Sequence, residues 1–179
     1  MQIPEPRDPA AALQSALPEA VQDTKEFRGE LTLVVAPEQV VEVLRFLRDT
    51  SGLIFNFLSD ISAVDYYPDY YSRPGRFGVC YHLYSLIYNR RIRVKAYLSE
   101  DDPRIPTATG LWPAANFLER EILDLMGITF DGHPDPRRVL LPADWDGHPA
   151  RRDYPLGYET PMFTFNVDEI KQHKPFAKE

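Results

Sequence analysis

Carboxylate and histidine side chains that could exchange protons are concentrated in the last third of this 179-residue chain. Glu119, Glu121 and Asp124 lie close together, and His133 and His148 each follow an Asp-Gly pair. A carboxylate and a histidine held near each other can serve as general base and general acid. No nucleophile motif organises these groups, so the sequence favours a structural use of them over a self-contained enzyme. We therefore predict no catalytic residue in this chain.

The same stretch offers a second chemistry, because His133, Asp135, His148 and Asp153 carry the nitrogen and oxygen atoms that bind metal ions. Each of the two histidines precedes a proline in a turn, where hydrogen bonding to the backbone is the simpler role. We therefore predict no metal ligand here, and metal analysis of the purified protein would decide the point.

Two similar blocks give this stretch its character: DGHPDPRR at residues 131–138 and DGHPARRD at residues 146–153. In each block the glycine permits a bend, and the arginine pair can bind carboxylates with two parallel hydrogen bonds. Prolines recur throughout residues 131–161 and prevent helix formation. We therefore predict an extended segment that docks on a partner protein. The residues expected to form that interface are Glu119, Arg120, Glu121, Asp124, His133, Arg137, Arg138, Trp145, His148, Arg151, Arg152 and Tyr154.

A helix from Pro113 to Met126, ended by Gly127, precedes the two blocks. Helical spacing puts Glu119 inside the apolar arc of this helix, while Asp124 falls on the polar side. A buried carboxylate must be paired or protonated. We expect at least one downstream arginine to fold back to Glu119 or its helix, the candidates being Arg137, Arg138, Arg151 and Arg152. The alternative is a solvated, charged helix with a narrower apolar arc.

Composition limits the remaining possibilities. At 179 residues and 44% hydrophobic content the chain can form one domain with extensions. The net charge of −7 argues against nucleic acid or an anionic membrane as the partner. With one cysteine, Cys80, the chain forms no internal disulfide and cannot by itself supply the roughly four thiolates of an iron–sulfur cluster. No targeting or membrane-spanning segment is recognisable, which predicts a soluble or peripheral protein with a protein partner.

The preceding elements predict an α+β fold with a mixed or antiparallel sheet and packed helices. A strand begins at Leu31 and a helix at Pro37, and a further buried strand follows Gly52. Residues 76–88 and 91–98 form a hairpin around Asn89-Arg90. The histidine of its first strand, His82, is expected to be an ordinary sheet residue. We divide the chain into an N-terminal lead-in (1–30) with one weak helix, a core domain (31–130) and an extended docking tail (131–179).

The residues from Trp112 to Pro155 carry a family resemblance; their sequence is WPAANFLEREILDLMGITFDGHPDPRRVLLPADWDGHPARRDYP. This run resembles the signature of the 30-kDa-type subunit of respiratory complex I, the NADH:quinone oxidoreductase. The upstream runs DISAVDYYP, RFGVCYHLYSL and RIRVKAYL are also similar to the sheet of that family.

The resemblance implies a non-redox structural subunit of the peripheral arm, which supports electron transfer from NADH to quinone coupled to proton translocation. It implies packing on the quinone-site subunit and its cluster-bearing neighbour, at the cytoplasmic face of the membrane, with contact to the membrane only through the complex. Flavin and iron–sulfur clusters would belong to partner subunits; this chain shows no Gly-x-Gly pair, phosphate loop or cysteine set. Sister complexes fed by ferredoxin or F420H2, and membrane-bound hydrogenases, use a similar subunit, so the electron donor stays open. A generic scaffold is the remaining alternative.

The last residues, 159–179, match no part of that family pattern. They contain two closely spaced phenylalanines, Phe163 and Phe165, with Met162 and Val167 beside them. Exposed apolar side chains of this size favour a strip that crosses onto a partner over a frayed chain end.

Overall fold

The computed structural model describes residues 3–155, and the expected partner strip at 162–167 lies outside this range. Three helices occur within the described residues: α1 (Pro9–Ala16), α2 (Val40–Asp49) and α3 (Ala115–Met126). A short 3-10 turn, Pro37–Gln39, leads into α2. The strands are β1 (Val21–Phe27), β2 (Glu30–Val35), β3 (Phe57–Asp65), β4 (Phe77–Ser85), β5 (Arg90–Leu98), β6 (Arg104–Pro106) and β7 (Thr129–Asp131).

A five-stranded mixed sheet forms the centre of the fold, with the order β1-β2-β5-β4-β3. Strands β2 and β5 run parallel, and the other neighbours are antiparallel. The predicted α+β class, a mixed sheet with packed helices, is confirmed.

One face of this sheet carries the core because the strands alternate. In β5, Ile92 and Val94 are buried, whereas the flanking Arg91 and Arg93 point to the other side of the sheet. The buried face shares one apolar cluster with α2 and with α3. Burial of each such leucine or valine contributes about 1.5–3 kcal/mol, which fixes the register of the strands. The helices therefore lie on one side of the sheet.

The hairpin predicted around Asn89-Arg90 is present, although its first strand ends earlier than expected. Strand β4 stops at Ser85, and the chain crosses to β5 through residues 86–89. Asn89 has a positive φ of 51°, a conformation that asparagine tolerates better than most residues.

The N-terminal residues contain more structure than the predicted lead-in with one weak helix, because a strand precedes the one expected at Leu31. Strand β1 pairs with β2 from Val21 to Phe27, and Leu13 of α1 is fully buried in the core. The Asp8 carboxylate caps α1 by accepting the Ala11 N–H at 3.1 Å. The boundary proposed at residue 30 falls between two paired strands.

Two short strands frame α3 and were not predicted. Strands β6 and β7 pair in parallel, so the chain leaves β6, forms α3 and returns to β7 beside it. This arrangement places the loop after β6 directly over the buried side of α3. No helix among residues 3–155 has the length and apolar character needed to cross a bilayer.

Candidate functional site

Helix α3 is the platform of the predicted site. It ends at Gly127, which adopts the left-handed conformation with φ 70° and donates its N–H to the Leu123 carbonyl at 2.9 Å. The side chains of Ala115 and Ile122 are buried in the core. Residues 132–155 fold back on α3 and contact its start at Asn116 and its C-terminal end at residues 124–126, while Phe117 and Glu121 stay exposed.

Asp124 is the first anchor of this folded-back segment, which we call the clasp (residues 132–155). One carboxylate oxygen of Asp124 accepts the Arg138 guanidinium at 2.9 Å. The other accepts three successive backbone N–H groups, from Val139 at 3.0 Å, Leu140 at 2.8 Å and Leu141 at 2.9 Å. Burial by itself raises the pKa of Asp124, but these amides and Arg138 together bring that pKa below its ordinary value. Asp124 therefore holds the clasp as a carboxylate.

The second Asp-Gly-His-Pro block closes the C-terminal end of α3. The His148 Nδ1–H donates to the Asp124 carbonyl at 2.9 Å, and the Ala150 N–H donates to the Leu125 carbonyl at 2.9 Å. The Arg151 Nε–H donates to the Met126 carbonyl at 2.7 Å. A helix leaves its last four carbonyls without partners, and a cation at this end also complements the helix dipole. The block thus caps α3.

Gly127 lets the cap approach this closely. A Cβ atom at Gly127 would lie 2.5 Å from the His148 ring and 2.6 Å from the Arg151 guanidinium. Burial lowers the pKa of His148, and the nearby Arg151 and Arg138 lower it further, although the Asp124 carbonyl opposes the change. At neutral pH His148 is therefore the neutral tautomer that carries its proton on Nδ1.

The first Asp-Gly-His-Pro block binds near the start of α3. His133 accepts the Asp135 N–H at 3.0 Å on Nδ1, so its Nε2 carries the proton and donates to the Asn116 carbonyl at 3.1 Å. The bends that the two glycines were predicted to permit are present, because Gly132 and Gly147 have φ values of 81° and 71°. Both blocks thus use their histidine to hold a backbone atom of the same helix.

Glu119 is fully buried, as its position in the apolar arc predicted. It accepts a hydrogen bond from the Thr107 hydroxyl and another from the Ala108 N–H, the latter at 2.7 Å. The His133 Nε2 lies 3.9 Å from a Glu119 oxygen. Burial raises the pKa of Glu119 to about 7, against the opposing effect of those two hydrogen bonds. The group is therefore partly protonated at neutral pH and ties α3 to the loop after β6.

The prediction that an arginine folds back to Glu119 or its helix is confirmed by Arg138 and Arg151, both of which bind α3 and neither of which binds Glu119. Arg120 completes the attachment from the helix side by donating to the Arg137 carbonyl at 2.8 Å and to the Arg138 carbonyl at 3.2 Å. Residues 132–155 thus follow a folded-back path on their own helix, where the sequence suggested an extended one.

The other predicted interface residues divide into inner and outer positions. At the inner positions, the Trp145 carbonyl accepts a hydrogen bond from the Arg138 guanidinium at 3.2 Å. The Tyr154 hydroxyl donates a hydrogen bond to the Asp146 carbonyl at 3.2 Å. The outer positions are the exposed residues Glu121, Arg137 and Arg152. Arg137 pairs with Asp135 at 2.6 Å and remains 79% exposed.

A buried ion cluster around Arg76 was missed by the sequence reasoning. Its guanidinium binds Asp65 at 2.8 Å, Glu100 at 2.6 Å and Asp153 of the clasp at 2.7 Å. The Arg152 N–H adds a hydrogen bond to Asp65 at 3.0 Å. The hydrogen bond from Arg76 to Asp65 is the largest reason why the pKa of Arg76 rises above its ordinary value. This cluster fastens the far end of the clasp to the sheet.

The side chains considered for a metal site are used differently. His133 and His148 each bind a backbone carbonyl of α3, and Asp153 binds Arg76. No group of three or more His, Cys, Asp or Glu side chains within residues 3–155 is placed to hold a metal ion.

The comparisons with known proteins bear on the chain as a whole. The model of the family described as respiratory-chain NADH dehydrogenase, 30 Kd subunit, matches residues 33–160. The chain belongs to this family. It is 52% identical over 167 residues to an NADH-quinone oxidoreductase subunit of Roseiflexus sp. (strain RS-1), covering 93% of this chain and 94% of that protein. The protein of the same name from Geobacter metallireducens is 49% identical over 137 residues, which cover 76% of this chain and 82% of that protein.

Solved structures agree with this assignment. The trypsin-resistant fragment (1–134) of Nqo5 is 42% identical, with a TM-score of 0.58 over 63% of this chain and 88% of the fragment. A chain of the membrane-bound sulfane sulfur reductase, an archaeal respiratory membrane complex, matches with a TM-score of 0.61 over 95% of this chain and 94% of that chain. At 21% identity the second likeness shows a shared fold. The resemblance of this chain to the 30-kDa-type subunit of complex I is confirmed.

Proposed function

We propose that this chain is a non-redox structural subunit of the peripheral arm of NADH:quinone oxidoreductase. It packs on the quinone-site subunit and its cluster-bearing neighbour, and so supports electron transfer from NADH to quinone coupled to proton translocation. Family membership and the name shared by the similar proteins support this assignment.

The structural role is supported by the hydrogen bonds that the polar side chains of the site make within the chain. Glu119, Asp124, His133 and His148 all make hydrogen bonds within the chain, mostly to backbone atoms. Groups held in this way fix the shape of the clasp and are not arranged around a bound substrate. Their contribution to the complex is therefore a preformed surface.

That surface is exposed on the outer side of α3 and the clasp. Phe117 is 63% exposed and Leu140 is 60% exposed, and the charged residues Glu121, Arg137 and Arg152 are exposed as well. Large apolar side chains with a charged surround are typical of a surface that another protein covers. We assign the contact with the quinone-site subunit to this surface.

The proposal also covers the cofactors and the location of this chain. Flavin and iron–sulfur clusters belong to partner subunits, and this chain holds no cofactor. It lies at the cytoplasmic face of the cell membrane and contacts the membrane only through the complex. Neither nucleic acid nor a metal ion is needed for its role.

Affinity purification of the tagged chain from its native membranes tests the proposal. We expect flavin-bearing and cluster-bearing subunits in the eluate, together with NADH-dependent reduction of quinone. The same partners with quinone reduction from ferredoxin or F420H2, and none from NADH, would assign the chain to a sister complex. A chain that elutes alone would refute the structural role.

A further inference from the structure

The sheet face turned away from the helices carries cations along one strand. Alternation in β5 buries Ile92, Val94 and Ala96 and turns Arg91, Arg93 and Lys95 to the outside. The strand register places Arg91 opposite Tyr84, Arg93 opposite His82, and Lys95 opposite Cys80 of β4. We call this side, with the outward residues of β2, β3, β4 and β5, the outer sheet face.

Within residues 3–155 these three cations contact hydroxyl groups and an aromatic ring, and no carboxylate pairs with them. Arg93 donates to the Thr32 hydroxyl at 2.8 and 3.0 Å, and Lys95 donates to the Tyr66 hydroxyl. The Arg91 guanidinium lies 5.8 Å from the centre of the Tyr84 ring. Among residues 3–155 no carboxylate lies within ion-pair distance of any of the three. Unpaired cations in a row are unexpected in a chain with a net charge of −7.

A cleft of about 510 Å³ opens over Arg91 and Arg93, and Lys95 lies further along the same strand. Arg91, Arg93 and His82 line it together with the rings of Phe57 and Tyr84. Phe57 is 48% exposed, so the cleft also has an uncovered apolar wall. A second groove of about 640 Å³ shares Glu30, Leu31, Tyr84 and Arg91 with the cleft. Asp8 and Glu26 also line this second groove, so the cationic part of the surface is the cleft over Arg91 and Arg93.

We infer that the outer sheet face binds an acidic, extended segment of a partner protein. Outward residues of a strand repeat every ~6.6 Å, which matches the spacing of alternate side chains in an extended peptide. Carboxylates at those positions would meet Arg91, Arg93 and Lys95 in turn, and each arginine can bind a carboxylate with two hydrogen bonds. The aromatic rings of Phe57 and Tyr84 would cover the apolar side chains between them.

The remaining lining of the cleft favours a peptide over other anionic partners. Asp60 and Glu30 line the same cleft. An extended peptide presents backbone N–H groups between its side chains, and Asp60 and Glu30 can accept them while acidic side chains meet Arg91 and Arg93. A row of phosphates offers no such donors to these two carboxylates. This surface is separate from the clasp, so the inference goes beyond the proposed contact with the quinone-site subunit.

Photo-crosslinking in the assembled complex identifies the occupant. A photoreactive phenylalanine derivative replaces Phe57 in the full chain, and mass spectrometry then sequences the linked peptide. We expect a peptide of another subunit with Asp or Glu at alternate positions. A peptide without this pattern, a lipid, a nucleic acid, a second copy of this chain, or the absence of a crosslink would overturn the inference. None of these outcomes depends on whether the clasp docks on the quinone-site subunit.

Direct binding of a defined probe tests the charge argument. The probe is a synthetic peptide of alternating Glu and Thr, added to the purified full chain, with an alternating Lys and Thr peptide as its control. The double variant Arg91→Gln/Arg93→Gln should bind the Glu peptide about tenfold more weakly than the wild type, as expected for two partly exposed ion pairs. Arg45→Gln removes an exposed arginine from α2 on the opposite side of the sheet and should leave binding unchanged.

Equal binding of the Glu peptide by wild type and double variant, or no binding by wild type, would contradict the inference. A thermal unfolding midpoint equal to that of wild type shows that the double variant is folded. If that variant does not fold, the crosslink from Phe57 decides the question, because it retains all three cations.

Discussion

Replacement of Asp124 by asparagine should release the clasp from α3 while the sheet stays folded. Asp124 is 1% exposed, and its carboxylate accepts four hydrogen bonds. In Asp124→Asn an NH₂ group takes the place of one carboxylate oxygen. That NH₂ must face either the Arg138 guanidinium or the amides of residues 139–141, and all of these are donors.

The size of the effect follows from these contacts. A hydrogen bond to a charged group contributes about 1.5–3 kcal/mol, and a buried donor left without an acceptor costs about 1–3 kcal/mol. One such bond is lost and the others weaken, so the clasp should lose about 2–4 kcal/mol of local stability. This change corresponds to an opening constant about 30-fold to 1,000-fold larger.

Hydrogen exchange of the backbone amides at Val139, Leu140 and Leu141 measures this opening directly. We expect their exchange to accelerate by the factor above in Asp124→Asn, while the amides of β4 keep wild-type rates. Glu121→Gln is the matched control, because it removes an exposed carboxylate from the same helix. Unchanged exchange at residues 139–141, or equal acceleration in β4, would refute the role given to Asp124.

Three further predictions concern the stability of the folded chain, measured by urea unfolding. Burial raises the pKa of Glu119 from 4.5 to about 7. The free energy of unfolding of wild type relative to Glu119→Gln should therefore fall on the order of 3 kcal/mol as the pH rises from about 4.5 to 7. A difference that does not change with pH would contradict this. Gly127→Ala should lower the free energy of unfolding by more than the ~1–2 kcal/mol that a left-handed alanine costs, because the new Cβ would clash with His148 and Arg151. Gly29→Ala, at a φ of 76° with open space around it, should lose only that amount. Equal losses would show that His148 and Arg151 move aside at no cost. Arg76→Met should lower the free energy of unfolding by about 3–5 kcal/mol, because it leaves the buried Asp65 carboxylate without its cation. Replacement of the exposed Arg104 by methionine should cost less than about 1 kcal/mol. Similar losses in the two variants would argue against a buried cluster.

The pH dependence of Asp124 has the opposite sign to that of Glu119. Its pKa is lowered in the folded chain, so its contribution is complete above the pKa of the unfolded chain, near 3.8. This contribution is lost as the pH falls through the lower folded value. Acid should therefore open the clasp, whereas the loss linked to Glu119 occurs as the pH rises from about 4.5 to 7.

Local sequence patterns predicted the core elements because burial determines them. The alternation of β5 and the spacing of Val40, Leu44 and Leu47 in α2 both reflect one buried side. Strand β1 could not be recognised in this way, because most of its residues are exposed and its place at the edge of the sheet requires little burial.

The site was predicted in part for a similar reason. The glycine bends and the return of an arginine to α3 follow from local chemistry. The choice of Asp124 as the anchor does not, because helical spacing places Asp124 on the polar side and only the folded-back clasp buries it. The ion cluster of Arg76 joins Asp65, Glu100 and Asp153 from distant parts of the chain, and no local pattern indicates such a pairing.

We propose that this chain supports electron transfer by its shape and performs no redox or proton-transfer step itself. Turnover per assembled complex tests it most directly, with Glu119→Gln, His133→Gln and His148→Gln introduced one at a time into the full NADH:quinone oxidoreductase. We predict that any loss of quinone reduction matches the loss of this chain from the purified complex, so that turnover per assembled complex stays within about twofold of wild type. A variant that assembles fully and yet turns over about tenfold more slowly, a barrier change of about 1.4 kcal/mol, would contradict the account.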